Sequence, residues 1–245
     1  MFILRLVILL ATFAACATAN DTCRNGGINT TVPGSFISNE PLVISLLQLG
    51  ARSGTCFGLR ALDAVAFTRS LHVSVRDATV RHIIVSLLEQ LPDYEMQESS
   101  SNVVLVGRLR SIPKGSVFEV TVREFRSPRS SLKTVSNALK LQLAAQMDPT
   151  IRGFVGTYGP GDQSDLVGPI DEHEKKVWEL LNDIVGQSAG AMWFPAAPEL
   201  DAAKPTDISP WTIIEYSTPY SEASITIQEL IPHFQTPEPE KGKAR

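Results

Sequence analysis

Between Leu71 and Gly107 the hydrophobic period changes from two to 3.6 and back to two. Leu71, Val73 and Val75 alternate with His72, Ser74 and Arg76, the pattern of a strand with one face buried. Val80, Ile83, Ile84, Leu87, Leu88 and Leu91 then fall on one stripe of a helix that Thr79 can cap. Pro92-Asp93 ends it. Tyr94 and Met96 face inward in a short strand, and the polar turn ESSSN leads into VVLVG, apolar on both faces and so central in a sheet. A helix between two kinds of strand needs a sheet to pack on, so the chain is α+β. The unit is too small to stand alone and must be completed by its neighbours.

Upstream, PLVISLLQLGA carries Leu42, Leu46 and Leu49 at helical spacing. Asn39 is its expected N-cap and Pro41 its first-turn proline, and Ser53-Gly54 stops it. CFGLRAL reads as a short strand. Downstream, Pro113-Lys114-Gly115 marks a linker, and FEVTVREF alternates with Phe118, Val120 and Val122 on one face. Ser130 or Ser131 caps a helix carrying Leu132, Val135, Leu139 and Leu143. A glycine-rich loop follows. Asp171 and Glu174 form a capping-box-like start for a second stripe of Val177, Leu180, Leu181, Ile184 and Val185. AMWFPA, WTIIEY and Ser224 to Leu230 read as strands. The expected organisation is a lead-in over 20–39, one α+β unit over 40–110, a second over 116–231 and a disordered tail over 232–245. That is two small mixed sheets with packed helices, and the second unit repeats the architecture of the first.

The first 19 residues read as a secretory leader: Arg5, an apolar run from Leu6 to Ala15, and the small-x-small site Ala17-Thr18-Ala19. The protein is therefore expected to be exported, periplasmic or secreted. Phe13-Ala14-Ala15-Cys16 also resembles a lipobox, in which Cys16 would be lipidated and the protein an outer-membrane lipoprotein; otherwise Cys16 leaves with the leader. Only the lipidated form would reach a membrane. The remaining pair, Cys23 and Cys56, suits a disulfide in an exported chain. It would close a loop of about 34 residues and contribute about 3–4 kcal/mol. The net charge of −4 is mild and no basic stripe occurs, so nucleic acid is not an expected partner.

The stretch VSVRDATVRHIIVSLLEQLPDYEMQESSSNVVLVG resembles the short N-terminal domain of secretins and TonB-dependent receptors, and PLVISLLQLGARSG resembles that domain's first helix. The resemblance covers about residues 40 to 108. More loosely, MDPTIRGFVGTYGPG and ELLNDIVGQSAGAMWF make the chain similar to a group of exported acidobacterial-type proteins, which implies no activity. In receptors the short domain is a periplasmic signalling module that contacts a regulator. In secretins related domains form stacked rings and bind partner proteins. The resemblance thus implies docking to another envelope protein, with no transport or pore formation carried over.

Residue chemistry points the same way. His72, His82, His173 and His233 show no metal-ligand spacing, and no cofactor or metal is expected. Glu172-His173-Glu174 is explained by carboxylates at a helix N-terminus. No G-K-[ST] occurs. Trp178, Trp193 and Trp211 read first as core. The one candidate ligand loop carries Gly153, Gly156, Tyr158, Gly159 and Gly161, where the backbone could approach a ligand and the tyrosine stack on it. The expectation is a non-enzymatic interaction module of the envelope that binds another envelope protein. The alternative is a periplasmic small-ligand or glycan-binding sensor.

Overall fold

The computed structural model describes residues 26–147, 166–196, 198–199 and 210–216. The chain is α+β. β1 (Thr31–Glu40) leads into α1 (Leu42–Ser53), β2 (Cys56–Arg60), the single turn α2 (Val65–Thr68), β3 (Leu71–Thr79), α3 (Val80–Leu88), β4 (Glu95–Glu98) and β5 (Val103–Gly107). A 3-10 turn (Val117–Glu119) precedes β6 (Thr121–Ser127), β7 (Ser130–Ser131), α4 (Leu132–Met147), β8 (Leu166–Val167), β9 (Ile170–Lys176), α5 (Val177–Gly186), β10 (Ala191–Pro195) and β11 (Trp211–Glu215).

The centre is one five-stranded mixed sheet in the order β11-β10-β2-β5-β4. β2 is parallel to both β5 and β10, and the two edge strands are antiparallel to their neighbours. Strands from both halves of the sequence therefore build a single sheet, where one sheet per half was expected. β5 lies inside it, as its two-sided apolarity requires. Two antiparallel ribbons, β1–β3 and β6–β9, complete the larger β structure.

The period of two divides the core between the sheet's faces. Phe57, Leu59, Val104, Val106, Met192 and Phe194 point to one side and pack with α1, α3 and the buried face of the β1–β3 ribbon. Cys56, Val103, Leu105, Ala191, Trp193 and Trp211 point to the other and pack with α4, α5 and the β6–β9 ribbon. Each face thus carries a ribbon and two principal helices, an arrangement in keeping with the repeated architecture. α1 is buried on nearly every side because it lies between its ribbon and the sheet.

Several local expectations hold in detail. The Thr79 hydroxyl accepts the His82 N–H at 3.3 Å, and Ser131 accepts the Thr134 N–H at 3.2 Å. Gly54 ends α1 in the left-handed conformation, φ 69°. Others change. Asn39 is not a cap: it is part of β1, opposite His72, and Pro41 takes the N-cap position. Residues 31–39 of the expected lead-in belong to β1, a strand held by β3. Phe118 belongs to the 3-10 turn, which forms because the Ser116 hydroxyl accepts the Phe118 N–H at 3.3 Å; Val122 and Phe125 fill the buried face of β6. Asp171 and Glu174 do not start a helix, because residues 170–176 pair with β6 as a strand. The real start is one turn later, where Glu179 accepts the Lys176 N–H at 2.8 Å.

Candidate functional site

The sheet geometry brings the β4–β5 hairpin of the first half against α5 of the second. Leu105 faces α5, and the carbonyl of Ser101 abuts Gly186, where a Cβ would meet it at 2.5 Å. Between hairpin and helix lies a groove of about 200 Å3. Its rim is Gln97, Glu98 and Ser99 to Ser101 on one side, and Lys175, Glu179 and Asp183 on the other; Leu105, Trp178 and Asn182 complete its lining.

Two of its charges, Lys175 and Asp183, are committed to each other. Lys175 Nζ donates to Asp183 Oδ2 at 2.6 Å and pairs with Glu172 at 2.9 Å, and the Ser101 hydroxyl donates to the other Asp183 oxygen. Burial works against the Lys175 ammonium, but Asp183 and Glu172 outweigh it and raise its pKa above the ordinary lysine value. Lys175 is therefore a firmly held cation. It is no base for Ser101, so serine–lysine nucleophilic chemistry has no support here. The deeper groups are less satisfied. Asn182 Oδ1 accepts the Trp193 indole N–H at 2.9 Å, while Asn182 Nδ2 and the Trp178 indole nitrogen are buried with no hydrogen-bond partner among the described residues.

Behind Trp178 a second polar cluster sits at the carboxyl end of β2. The Arg60 guanidinium lies 4.8 Å from the Trp178 ring centroid and forms an ion pair with Glu119, whose other oxygen accepts from Lys176 Nζ at 2.8 Å. Burial opposes the Glu119 charge, yet Lys176 and Arg60 outweigh it and hold the carboxyl below its ordinary value. Glu199 enters from the loop after β10. It accepts from the Ala61 N–H and, at 3.0 Å, from the Ser116 hydroxyl. Here burial wins and the pKa is raised, although Ser116, Ala61 and Arg60 each pull it down. Asp63 joins Tyr94 (2.6 Å) and Arg108 (3.1 Å) nearby. All these side chains reach across elements; the cluster ties the halves together more than it prepares a reacting group.

The Glu199 shift has a consequence for stability. Its folded pKa lies above its unfolded one, so between the two values the native state holds more protons. Stability contributed by the protonated form is lost as pH rises through that window. Glu199→Gln is expected to flatten this fall and raise the urea midpoint at neutral pH relative to wild type. A midpoint difference unchanged between pH 4 and 7 would refute it.

The other sequence candidates fall as follows. Gly153, Gly156, Tyr158, Gly159 and Gly161 lie outside the described residues, as do Cys16, Cys23, His233, Ser224 to Leu230 and the tail over 232–245. Cys56 is fully buried at the start of β2. Gly26 packs directly on the backbone of Ser53 and Gly54, so the chain three residues after Cys23 runs beside the turn that precedes Cys56. His72 and His82 are exposed. His173 is exposed on β9, 3.3 Å from Asp171, so the helix-dipole account of Glu172 to Glu174 does not apply. Trp193 and Trp211 are core, whereas Trp178 lines the groove. Among the described residues no cluster of three or more His, Cys, Asp or Glu could hold a metal, and no helix is long and apolar enough to cross a membrane. Comparison with family models, curated proteins and solved structures finds no match.

Proposed function

We propose that the chain is an exported, non-enzymatic interaction module of the cell envelope, and that it binds another envelope protein by adding one of that partner's strands to β4. The observation that carries this reading is the open edge of the central sheet: among the described residues β4 has a strand neighbour on one side only. The Ser99 N–H donates to the Val103 carbonyl at 2.9 Å. Hydrogen-bonded pairs alternate along an antiparallel ladder, so Gln97 and Glu95 also bond inward while the N–H groups of Glu98 and Met96 face the open side. An extended segment of a partner would find two donors there, spaced as in a sheet. Glu95 and Glu98 keep this edge charged when it is alone. The firmly paired Lys175 and Asp183 favour binding over catalysis, and the leader-like N-terminus and the resemblance to short N-terminal domains favour an envelope partner.

Glu98→Pro tests the reading, because it removes an outward N–H and no ladder bond. The variant is expected to keep the wild-type fold by circular dichroism and to lose a specific envelope partner at least about tenfold, roughly 1.4 kcal/mol. Undiminished partner recovery, or wild-type protein recovered strictly alone, would contradict it.

A further inference from the structure

We propose that the groove between the β4–β5 hairpin and α5 binds a small neutral polyol, of the size of one sugar ring. This does not rest on the strand-pairing reading, which uses the backbone edge of β4, although the two share Glu98, whose side chain stands on the groove rim.

The strongest reason is the pair of stranded donors. Asn182 is 1% exposed and lies within the apolar stripe of α5. Its oxygen is used by Trp193, which leaves Nδ2 as the end with no acceptor. The Trp178 indole N–H is in the same condition, and both residues line the groove. Buried donors without acceptors are rare and costly, and a ligand oxygen relieves both once the Trp178 ring and the Asn182 amide turn toward the groove, since neither nitrogen is open to solvent as it stands.

The rim supplies the opposite chemistry. Glu98, Glu179 and Asp183 offer carboxylate oxygens to ligand hydroxyls, and Ser99 and Ser100 can donate or accept. A ligand that must accept deep in the groove and donate at its rim is polyhydroxylated. Leu105 and the Trp178 ring give the apolar surface that the C–H face of a ring can cover. The volume of about 200 Å3 is below the range of about 300–1,000 Å3 usual for ligand pockets, which limits the occupant to one ring.

Charge selects within that class. The rim places three carboxylates against one ammonium, so a phosphorylated or carboxylated ligand is repelled. A cation gains little, because Asp183 is already paired with Lys175 and Glu179 already caps α5.

The full mature chain is titrated with glucose, N-acetylglucosamine and glucose 6-phosphate, following indole N–H resonances by NMR. At least one neutral sugar is expected to shift the Trp178 indole saturably in the millimolar range. The Trp211 indole, bonded to Ser136 away from the groove, serves as the reference within the fold. Glucose 6-phosphate is expected to bind at least about tenfold more weakly. Ser100→Trp, which fills the groove from its rim, should abolish binding. Trp178→Phe should weaken it about tenfold while spectral dispersion is kept, read from ligand signals. No saturable response to either neutral sugar, equal binding of the phosphate, or undiminished binding to Ser100→Trp would overturn the proposal.

Discussion

Gly107→Ala is expected to destabilise the protein by about 3 kcal/mol, because the new methyl group has no place to go. Gly107 faces Arg60 in the parallel β2–β5 pair, and a Cβ there would lie 1.8 Å from the Arg60 carbonyl oxygen. That neighbour is backbone in the middle strand of the sheet, so relief requires moving β2 or β5 and whatever packs on both faces. Gly27→Ala is the control. A Cβ at Gly27 meets nothing within 4 Å, and the change should stay within about 0.5 kcal/mol. Urea midpoints of the two variants provide the comparison. A Gly107→Ala protein as stable as the Gly27 variant would mean that β2 and β5 are not paired in this register.

Arg60→Ala is expected to cost about 3–5 kcal/mol, the range seen when one partner of a buried ion pair is removed. Arg60 is 5% exposed and serves Glu119, Glu199 and the Trp178 ring. Its loss leaves Glu119 with Lys176 alone and Glu199 buried without a nearby guanidinium. Two further variants separate charge from packing. Arg60→Lys should recover part of the stability, since it keeps the cation but not the planar fork. Adding Glu199→Gln to Arg60→Ala should also recover part, because it removes a carboxylate that has lost its counter-charge. If neither recovers anything, the cost is a packing cavity and the electrostatic account of the cluster is wrong.

The pH profile should carry both signs of this cluster. Glu119 has a lowered folded pKa, so its contribution is present above the ordinary carboxylate range and is lost as pH falls. Glu199 acts in the opposite sense. Two carboxylates near one arginine thus oppose each other in mild acid.

What the sequence makes legible here is local. The 71–107 stretch and α4 follow from periodicity, because each buries a regular face. β1 is obscured by its own irregularity: the register shifts between Val32 and Ser35, where Gly34 has φ 74°, so alternation fails although Val32, Phe36 and Ser38 are buried. β9 reads IDEHEKK and buries only Ile170, so its strand state comes from pairing with β6 and not from any pattern of its own. The parallel pairing of β10 with β2 joins residues far apart in the chain, and its only local trace is that CFGLR and AMWFP are buried on both faces.

The groove was hidden for the same reason. Ser99 to Ser101 look like an ordinary turn and Trp178 like core until the sheet brings them together. One residue did carry a signal: Asn182 interrupts an apolar run between Leu181 and Ile184, and a buried amide there calls for partners. Gly58 is its companion, since a Cβ at that position would meet the Trp193 indole nitrogen at 2.6 Å and Asn182 Oδ1 at 2.8 Å.

The account depends most on a core shared by the two halves, because both the open β4 edge and the groove belong to a sheet that neither half builds alone. Equilibrium urea unfolding, followed by the fluorescence of Trp193 and Trp211 and by hydrogen exchange of the β5 amides, tests this directly. The expected result is one transition with coincident midpoints, in which β5 loses protection together with the second-half tryptophans. Two separated transitions, with β5 still protected after Trp193 and Trp211 have become solvent-exposed, would contradict it.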